Sequence, residues 1–318
     1  MATYKEIYGS TIEVVTSDPE NPINGQVWYN STSNVLKGYK IVNSWATTNS
    51  LNTARAYLGG GGTQTSALAF GGEPGTATTA ETESWNGTNW TEVNDMNSTR
   101  RNVGGCGADN TNALVMGGYP SFVAITESWN GTSWSEVNDL NTGKRNMGVT
   151  GTNTASLVAG GATGLPTPAN LTAQTENWNG TSWTEVNDLN TARSELAAAG
   201  TTTAAIAFGG DGGPSLNENW NGTSWTEVND LNTGRNYIAG SGTSTLGLAF
   251  GGTPPTTGAT EEWNGTSWTE VNDLNTARSA LGGAGTQAAT LAFGGETPPV
   301  TVASEAWNGA GTFTFTDS

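Results

Sequence analysis

The sequence predicts an all-β protein built from repeated four-stranded units, and three observations lead to this prediction. A near-identical segment recurs about six times, and one copy, at 263–295, reads WNGTSWTEVNDLNTARSALGGAGTQAATLAFGG. Its second tryptophan returns every 42–49 residues, at Trp45, Trp90, Trp134, Trp183, Trp225 and Trp268. A Gly-Gly pair returns with it, and no helical period occurs. One unit of this length cannot bury its own apolar face, so the units are expected to stack or to form a ring.

Each unit contains four short segments with strand character. In the copy above, a Gly/Ala-rich stretch (281–286) is followed by an alternating apolar stretch (289–293). A T-E-x-W segment and a W-T-E-V segment come next, with Asn-Gly between them. Asn-Gly is the strongest signal for a two-residue type I′ hairpin turn. Four antiparallel strands of this length, repeated in a ring, are typical of β-propeller blades, with the small residues innermost.

The order of motifs in one unit resembles the kelch repeat. The motif consists of an arginine, a Gly-Gly pair and two aromatic residues, here Arg235, Gly251, Gly252, Trp263 and Trp268. The resemblance covers about residues 45–318, although tryptophan replaces the usual third-strand tyrosine and the unit is short. It implies a six-bladed kelch-like β-propeller over 41–318. The strand around Trp45 is expected to complete the blade of the strand around Trp307, whereas the placement of 311–318 stays open.

Composition argues against several function classes. The net charge of −17 would repel a nucleic-acid backbone. Neither a signal peptide nor a membrane-spanning segment is predicted, and Cys106, the single cysteine, allows no intrachain disulfide. The chain has no histidine, so it lacks the ligands of a galactose-oxidase-like copper site, and the sialidase-type Asp box is incomplete. We therefore predict a protein that is not an enzyme and has no cofactor.

One arginine and one glutamate recur in each unit. The arginines are Arg55, Arg100, Arg193, Arg235 and Arg278, with Lys144 in the third copy, and the glutamates are Glu83, Glu127, Glu176, Glu218, Glu261 and Glu305. Their equal number favours structural pairs that tie adjacent blades together. The tryptophans are interpreted as core. The two carboxylates of each T-E-V-N-D segment are too few for calcium and predict a solvated acidic rim, although a structural calcium stays open.

Variable loops predict the binding surface. Nearly all length variation lies between Gly-Gly and the glutamate, at 73–82, 119–126, 162–175, 211–217, 253–260 and 296–304. These loops should share one face with the V-N-D-L-N-T connections, opposite the Asn-Gly turns, and loops that vary on a constant scaffold are typical of binding sites. The apolar candidates for partner contact there are Tyr119, Phe122, Leu165 and Leu171, and shielding of the loop bases is the alternative role.

Residues 1–40 lie outside the repeat and are predicted to be an N-terminal arm with a β-hairpin. The hairpin carries the candidate docking residues Trp28, Tyr29, Leu36 and Tyr39. The segment 25–39 resembles one found near the start of bacteriophage fibre and virion-surface proteins, in particular those of marine phages with kelch-like arrays. This resemblance implies a structural or display protein of the virion exterior, in the head or in the tail.

The same resemblance implies two kinds of partner. The arm would dock to other virion proteins, and the propeller would face a host-surface glycan or a neighbouring protein. A free carbohydrate-binding or adhesin module is the alternative. The host, the ligand and the oligomeric state stay open.

Overall fold

The computed structural model describes residues 12–19, 26–166 and 169–315, without the side chains of 39–42 and 310–315. Every regular element in this part of the chain is a β-strand, which confirms the all-β prediction. The chain divides into two compact units, Met1–Asn43 with Asn308–Ser318, and Ser44–Trp307. The sequence instead predicts a boundary between residues 40 and 41, and it assigns the C-terminal residues to the same domain as the repeats.

The chain begins with β1 (Glu13–Val15), β2 (Val27–Asn30) and β3 (Val35–Thr47). Five four-stranded antiparallel sheets follow, each made of consecutive strands. Sheet 1 contains β4 (Gly59–Thr63), β5 (Ser66–Phe70), β6 (Thr82–Trp85) and β7 (Trp90–Val93). Sheet 2 contains β8 (Gly104–Asp109), β9 (Asn112–Met116), β10 (Thr126–Trp129) and β11 (Trp134–Val137). Sheet 3 contains β12 (Gly148–Thr152), β13 (Ala155–Ala159), β14 (Thr175–Trp178) and β15 (Trp183–Val186).

Sheet 4 contains β16 (Ala197–Gly200), β17 (Ala205–Phe208), β18 (Asn217–Trp220) and β19 (Trp225–Val228). Sheet 5 contains β20 (Ala239–Gly242), β21 (Gly247–Phe250), β22 (Thr260–Trp263) and β23 (Trp268–Val271). The last strands are β24 (Gly282–Thr286), β25 (Ala289–Phe293) and β26 (Ser304–Phe315). They belong to sheet 6, a six-stranded sheet with the order β1-β2-β3-β26-β25-β24.

The first strand of each sheet consists of small residues because the neighbouring side chains leave no room. A Cβ on Gly282 would lie 2.3 Å from Cε2 of Phe293, and one on Gly60 would lie 2.4 Å from Cζ of the same ring. The first strands contact one another in the order β4, β8, β12, β16, β20 and β24, and β24 contacts β4. Repeated four-stranded antiparallel sheets with small residues at their mutual contacts fit a β-propeller.

The Gly-Gly pairs join each sheet to the connection that follows it. The N–H of Gly72 donates to the carbonyl of Arg100 at 2.8 Å. Gly71 has a positive φ of 63°, and a Cβ there would lie 2.6 Å from the same carbonyl oxygen. Only glycine combines this backbone conformation with so close an approach. The same bond recurs in all six repeats, and in the last one Gly295 donates to Arg55 at 2.8 Å.

The tryptophans form the core between sheets, as predicted. Trp85 and Trp90 face each other across one hairpin with ring centroids 5.4 Å apart, and both are buried. The indole Nε1 of the second tryptophan donates to a hydroxyl at the start of the third strand of a neighbouring sheet. These bonds are Trp134–Thr82, Trp183–Thr126, Trp225–Thr175, Trp45–Thr260 and Trp90–Ser304, at 3.0–3.2 Å. Each tryptophan therefore adds a hydrogen bond between sheets to its buried apolar area.

The Asn-Gly hairpins differ from the predicted turn. Gly87 has a φ of 90°, but Asn86 does not have a positive φ, so the type I′ prediction is wrong. Trp85 pairs with Trp90, which leaves a four-residue loop between the strands. The Asn86 side-chain oxygen accepts the N–H groups of Thr88 and Asn89, both at 2.9 Å. The asparagine side chain accepts hydrogen bonds from the backbone of its own loop and so stabilises it. A second residue with a positive φ is therefore not required.

Sheet 6 differs from the others because its strands come from distant parts of the sequence. β3 lies beside β26 in the strand order. The N–H of Thr48 donates to the carbonyl of Ser304 at 2.9 Å. Trp45 lies 5.4 Å from Trp307, the same spacing as within the other tryptophan pairs. Trp45 therefore occupies the position that the second tryptophan of a hairpin has in sheet 1.

One bond of the tryptophan series is missing. Asn217 stands at the start of the third strand in sheet 4, and neither its buried Oδ1 nor the Nε1 of Trp268 has a hydrogen-bond partner. We expect Asn217→Thr to give Trp268 the hydroxyl acceptor found elsewhere and to raise the free energy of unfolding by about 1 kcal/mol. Denaturant unfolding monitored by tryptophan fluorescence measures this change.

The matched control is Thr175→Asn, which places asparagine, the residue found in sheet 4, at the equivalent position of sheet 3. The substitution removes the hydroxyl that accepts the hydrogen bond of Trp225. This variant should lose stability by about the amount that Asn217→Thr gains. Equal stability of Asn217→Thr and the unaltered protein, with Thr175→Asn destabilised, would contradict the role given to Trp268.

Candidate functional site

The recurring arginines and glutamates form buried ion pairs, as the sequence predicts. The pairs are Arg55–Glu83, Arg100–Glu127, Lys144–Glu176, Arg193–Glu218, Arg235–Glu261 and Arg278–Glu305, at 2.5–3.0 Å. Lys144 thus holds the arginine position in the third copy. Burial lowers the pKa of the Lys144 ammonium group, and the Glu176 carboxylate acts against this shift. The recurring arginines and glutamates therefore have a structural role.

Each arginine also connects two sheets. The guanidinium of Arg100 donates to the carbonyls of Gly117 and Ile125 in sheet 2, at 2.9 and 2.8 Å. Its own carbonyl accepts the N–H of Gly72 from sheet 1. The prediction that the arginines tie adjacent units together is therefore confirmed.

The acidic T-E-V-N-D segments have a backbone role. Asp139 accepts the N–H of Thr126 at 3.0 Å, and the same bond occurs with Asp95, Asp188, Asp230 and Asp273. The glutamates of these segments, such as Glu92, are exposed. Within the described residues, no group of three or more metal-ligating side chains occurs.

Six equivalent residues, one from each repeat, are joined by backbone hydrogen bonds. We call them the cycle: Tyr57, Asn102, Asn146, Glu195, Tyr237 and Ala280. Asn102 donates its N–H to the carbonyl of Tyr57 at 2.8 Å, and each following member donates to the member before it. The series returns to its start, because the N–H of Tyr57 donates to the carbonyl of Ala280 at 2.9 Å. All six members have a positive φ between 49° and 61°. Non-glycine residues rarely adopt this conformation, so the bonds of the cycle hold them there.

Residue identity varies at the cycle and at two adjacent positions. The residue before each cycle member forms an isolated β-bridge with the residue after Gly-Gly. These bridges are Ala56–Glu73, Arg101–Tyr119, Arg145–Ala162, Ser194–Asp211, Asn236–Thr253 and Ser279–Glu296. The connections, the hairpins and the tryptophans are nearly identical between repeats, whereas the first two strands and the loops after Gly-Gly also differ. The cycle and its bridges are therefore one of the places where residue identity varies, and the variable loops begin at the bridging residues.

Several of the variable positions line a cavity of about 270 Å³. Its lining is mostly polar, and it includes Tyr57, Asn102, Asn146, Tyr237 and Arg145. A second cavity of about 150 Å³ is lined by all six cycle members and by the first strands of the sheets. We call the larger one the cycle cavity. It brings together two amides, two phenols, two guanidiniums and two carboxylates, which are groups that bind polar ligands.

Two tyrosines of the cycle are held by carboxylates. Tyr57 donates its hydroxyl to Oε2 of Glu296 at 2.9 Å, and burial together with this bond raises the pKa of Tyr57 to about 12. Burial and the Glu195 carboxylate likewise raise the pKa of Tyr237. The two rings meet edge to face with centroids 5.4 Å apart. Both hydroxyls therefore stay protonated at neutral pH and have fixed positions.

Two of the four predicted contact residues lie beside the cycle cavity. The ring of Tyr119 lies 4.6 Å from the guanidinium carbon of Arg101 and 5.7 Å from that of Arg145. The ring of Phe122 lies 5.0 Å from the guanidinium carbon of Arg145. Both aromatic residues thus support the arginines.

The other two predicted contact residues lie apart from these arginines. Leu165 is 64% exposed in its loop. Leu171 is partly buried and bridges Ala162. The structure thus brings Tyr119 and Phe122 together through Arg145, whereas Leu165 remains a free apolar side chain of the long loop.

The ends of the sheets agree with the predicted placement of the loops. Met96 and Arg100, in the connection after β7, donate their N–H groups to Ala80 and Thr79 in the loop before β6. The variable loop and the connection therefore share one end of sheet 1, while the Asn-Gly hairpin lies at the other end of β6.

The predicted docking residues differ in exposure. Trp28 is fully buried and donates Nε1 to Asp18 at 3.0 Å, and Asp18 also pairs with Lys37. Tyr29 and Leu36 are partly exposed, and the side chain of Tyr39 lies outside the described ones. In the described part of the chain, no helix is long and apolar enough to cross a membrane.

Glu195, which lines the smaller cavity, makes the stability of the protein sensitive to pH. Burial raises its pKa above the ordinary value of 4.5. Stability linked to its protonated form is therefore full below about 4.5 and is lost as the pH rises through the folded-state pKa. We expect Glu195→Gln to be more stable than the unaltered protein at pH 7, because glutamine keeps an acceptor for Tyr237 without a buried charge. Thermal unfolding from pH 4 to pH 8 measures the difference.

The control is Glu270→Gln, which removes one carboxylate from an exposed strand. It should follow the pH dependence of the unaltered protein. The assignment to Glu195 fails if Glu195→Gln loses stability between pH 4.5 and pH 7 as much as the unaltered protein does.

No known family model matches the chain, and no curated protein is significantly similar to it in sequence.

Sequence reasoning missed the cycle, Arg101 and Arg145. The signal available was that arginine directly follows the recurring Arg100 and Lys144, where the other repeats have alanine, serine or asparagine. This departure from the repeat marks the two cations at the cavity.

Proposed function

We infer that the chain is a six-bladed, kelch-like β-propeller that binds a partner without catalysing a reaction and is displayed on the outside of a phage particle. The observation that carries the binding role is the variation around the cycle. Repeats that are nearly identical at their ion pairs, glycines and tryptophans differ at the positions that surround one polar cavity. The variable loops after Gly-Gly begin at these positions, and variable loops on a repeated scaffold are typical of a binding surface.

The blade number is supported by the order of contacts among the first strands, from β4 to β24 and back to β4. It is also supported by the cycle, which has one member from each of six repeats. In this proposal β3 supplies the outer strand of the sixth blade, next to β26.

Several features support a role without catalysis. The chain has no histidine, and its single thiol, Cys106, is buried, which raises its pKa to about 12. A protonated, inaccessible thiol is a poor nucleophile. Both carboxylates that line the cycle cavity are engaged, Glu296 by the hydroxyl of Tyr57 and Glu73 by Arg101.

The arm supports display on a particle. Residues up to Asn43 group apart from Ser44–Trp307, as expected of a segment that attaches the repeat unit to something else. In this proposal the partly exposed Tyr29 and Leu36 contact other virion proteins, and Trp28 holds the arm together.

Quantitative mass spectrometry of purified particles, produced by a phage that encodes this chain, tests the display role. The intact protein should be incorporated in a fixed ratio to the major structural proteins. A truncated chain that starts at Val42 should fold with an unchanged thermal midpoint but be absent from particles. Incorporation of this truncated chain would refute the role of the arm. Absence of the intact protein from particles would leave the free carbohydrate-binding module as the better proposal.

A further inference from the structure

Arg145 differs from the other cationic side chains in having no carboxylate partner. The six buried pairs, Arg101–Glu73 and Lys37–Asp18 account for the other cations among the described side chains. Among the described side chains, no carboxylate oxygen lies within 4.0 Å of the Arg145 guanidinium, although the charge of Glu195 interacts with it at longer range. Its buried Nε has no hydrogen-bond partner, which is also true of five other arginines. In a chain with a net charge of −17, a guanidinium at a cavity without a direct ion pair is available to an anionic ligand.

The Arg145 side chain is held in place without an ion pair. Its guanidinium carbon lies 5.0 Å from the centroid of Phe122 and 5.7 Å from that of Tyr119. Cation–π contact with two aromatic rings favours a fixed position of the guanidinium at the edge of the cavity. A planar group held in this way can bind a carboxylate through two parallel hydrogen bonds with little further ordering.

The rest of the cavity lining is mostly polar and suits hydroxyl groups better than apolar surface. Asn102 donates to Asn146 at 2.6 Å, and both amides line the cavity with the phenols of Tyr57 and Tyr237. Amides and phenols are both donors and acceptors, as hydroxyl groups are. An acidic peptide side chain would present a carboxylate but few hydroxyls, so most of these groups would lose water without a replacement partner.

The size of the cavity limits the ligand to about one sugar residue. Its volume of about 270 Å³ lies just below the roughly 300–1,000 Å³ of pockets that enclose drug-sized molecules. Both carboxylates of the lining already have partners, Arg101 for Glu73 and Tyr57 for Glu296. They therefore leave Arg145 as the centre for an anionic group.

We propose that the cycle cavity binds the terminal residue of a carboxylate-bearing saccharide. The carboxylate lies on the guanidinium of Arg145, and the ring hydroxyls contact the amides of Asn102 and Asn146. This proposal rests on the proposed function and names the ligand class of that binding surface. The ligand is the acidic end of a surface glycan. A free acidic sugar carries the same carboxylate and hydroxyl groups, so the experiment has to distinguish the two.

Titration of the full-length protein with defined sugars tests the proposal. The probes are glucuronic acid, glucose, an oligosaccharide with a terminal uronate, inorganic phosphate and a glutamate-rich peptide, with binding measured by calorimetry and NMR. We expect glucuronic acid to bind more tightly than glucose, phosphate or the peptide. If the uronate oligosaccharide binds and the free sugar does not, the ligand is a glycan end. Equal binding of glucose and glucuronic acid, or preference for phosphate or the peptide, would overturn the proposal.

The decisive variant is Arg145→Ser, because serine occupies the same repeat position at Ser194 and Ser279 and is compatible with the fold. Its affinity for glucuronic acid should fall roughly 10- to 100-fold, as expected for loss of a charge-assisted bidentate contact. Its affinity for glucose should not change. The charge-matched control is Lys37→Ser, which removes one cation from the arm and should leave both affinities unchanged. Unchanged binding of glucuronic acid by a folded Arg145→Ser protein would contradict the assignment.

The two proposals fail separately. A chain that is incorporated into particles but does not prefer acidic sugars contradicts the ligand and leaves display intact. A chain that binds glucuronic acid through Arg145 but is absent from particles contradicts display and leaves the site intact.

Discussion

Deletion of residues 41–50 should lower the stability of the repeat unit more than any single substitution. The deletion removes Trp45, which is 6% exposed and contacts the rings of Phe250 and Trp307. Loss of one buried tryptophan side chain costs about 3–5 kcal/mol. The deletion also removes the bonds from Trp45 to Thr260 and from Thr48 to Ser304. We expect a large fall in the thermal midpoint measured by circular dichroism.

The same deletion should change the association state. Without the C-terminal half of β3, part of the backbone of β26 would form an exposed sheet edge, and exposed edges pair with other chains. Size-exclusion chromatography should show aggregates or higher oligomers. The control is the truncated chain that starts at Val42 and keeps Trp45, which should retain the thermal midpoint of the intact protein. An unchanged midpoint after deletion of 41–50 would rule out completion of sheet 6 by β3.

Arg235→Ala should be the most destabilising single substitution among those considered. The guanidinium donates to Glu261 at 2.8 Å and to the carbonyls of Gly251 and Ala259 at 2.8 and 2.5 Å. Its removal leaves a carboxylate with 1% exposure without its cation, and it leaves two buried carbonyls without these donors. Breaking a buried pair from one side costs about 3–5 kcal/mol. Urea unfolding measures the loss.

Two further variants test the positive charge at this position and the effect of burial. Arg235→Lys should recover much of the loss, because Lys144 fills the equivalent position in sheet 3 and pairs with Glu176 at 3.0 Å. Arg101→Ala removes an arginine that is 28% exposed and should cost about 0–1 kcal/mol. Equal losses for Arg235→Ala and Arg101→Ala would show that the buried pairs do not have the structural role assigned to them.

The sequence predicts those features that recur with the repeat. Trp90 and Trp134 are at fixed offsets because every unit must fill the same space, and the pairing of Arg100 with Glu127 follows from their equal number. Periodicity identifies these residues because the same local contacts return in each copy.

Features that depend on the packing of several repeats are not predicted. A left-handed backbone at Tyr57 or Glu195 has no local signal, because neither residue type favours that conformation. Only the hydrogen bonds from neighbouring repeats impose it. The predicted type I′ turn at Asn86 is wrong for a local reason, since the asparagine side chain caps its own loop. The exposure and partners of Arg145 likewise depend on Tyr119 and Phe122, and their proximity follows from tertiary structure.

The hydrogen bonds of the cycle all run in the same sense around it, since every N–H donates to the repeat before it. Peptide groups placed head to tail around a closed path have dipoles that largely cancel, unlike those of a helix, which add along one axis. The hydrogen-bonded peptide groups of the cycle therefore add little net dipole within the ring. In the proposed binding role, the side chains at the variable positions set the charge of the ligand, so we expect one or two substitutions there to reverse it while the scaffold stays unchanged.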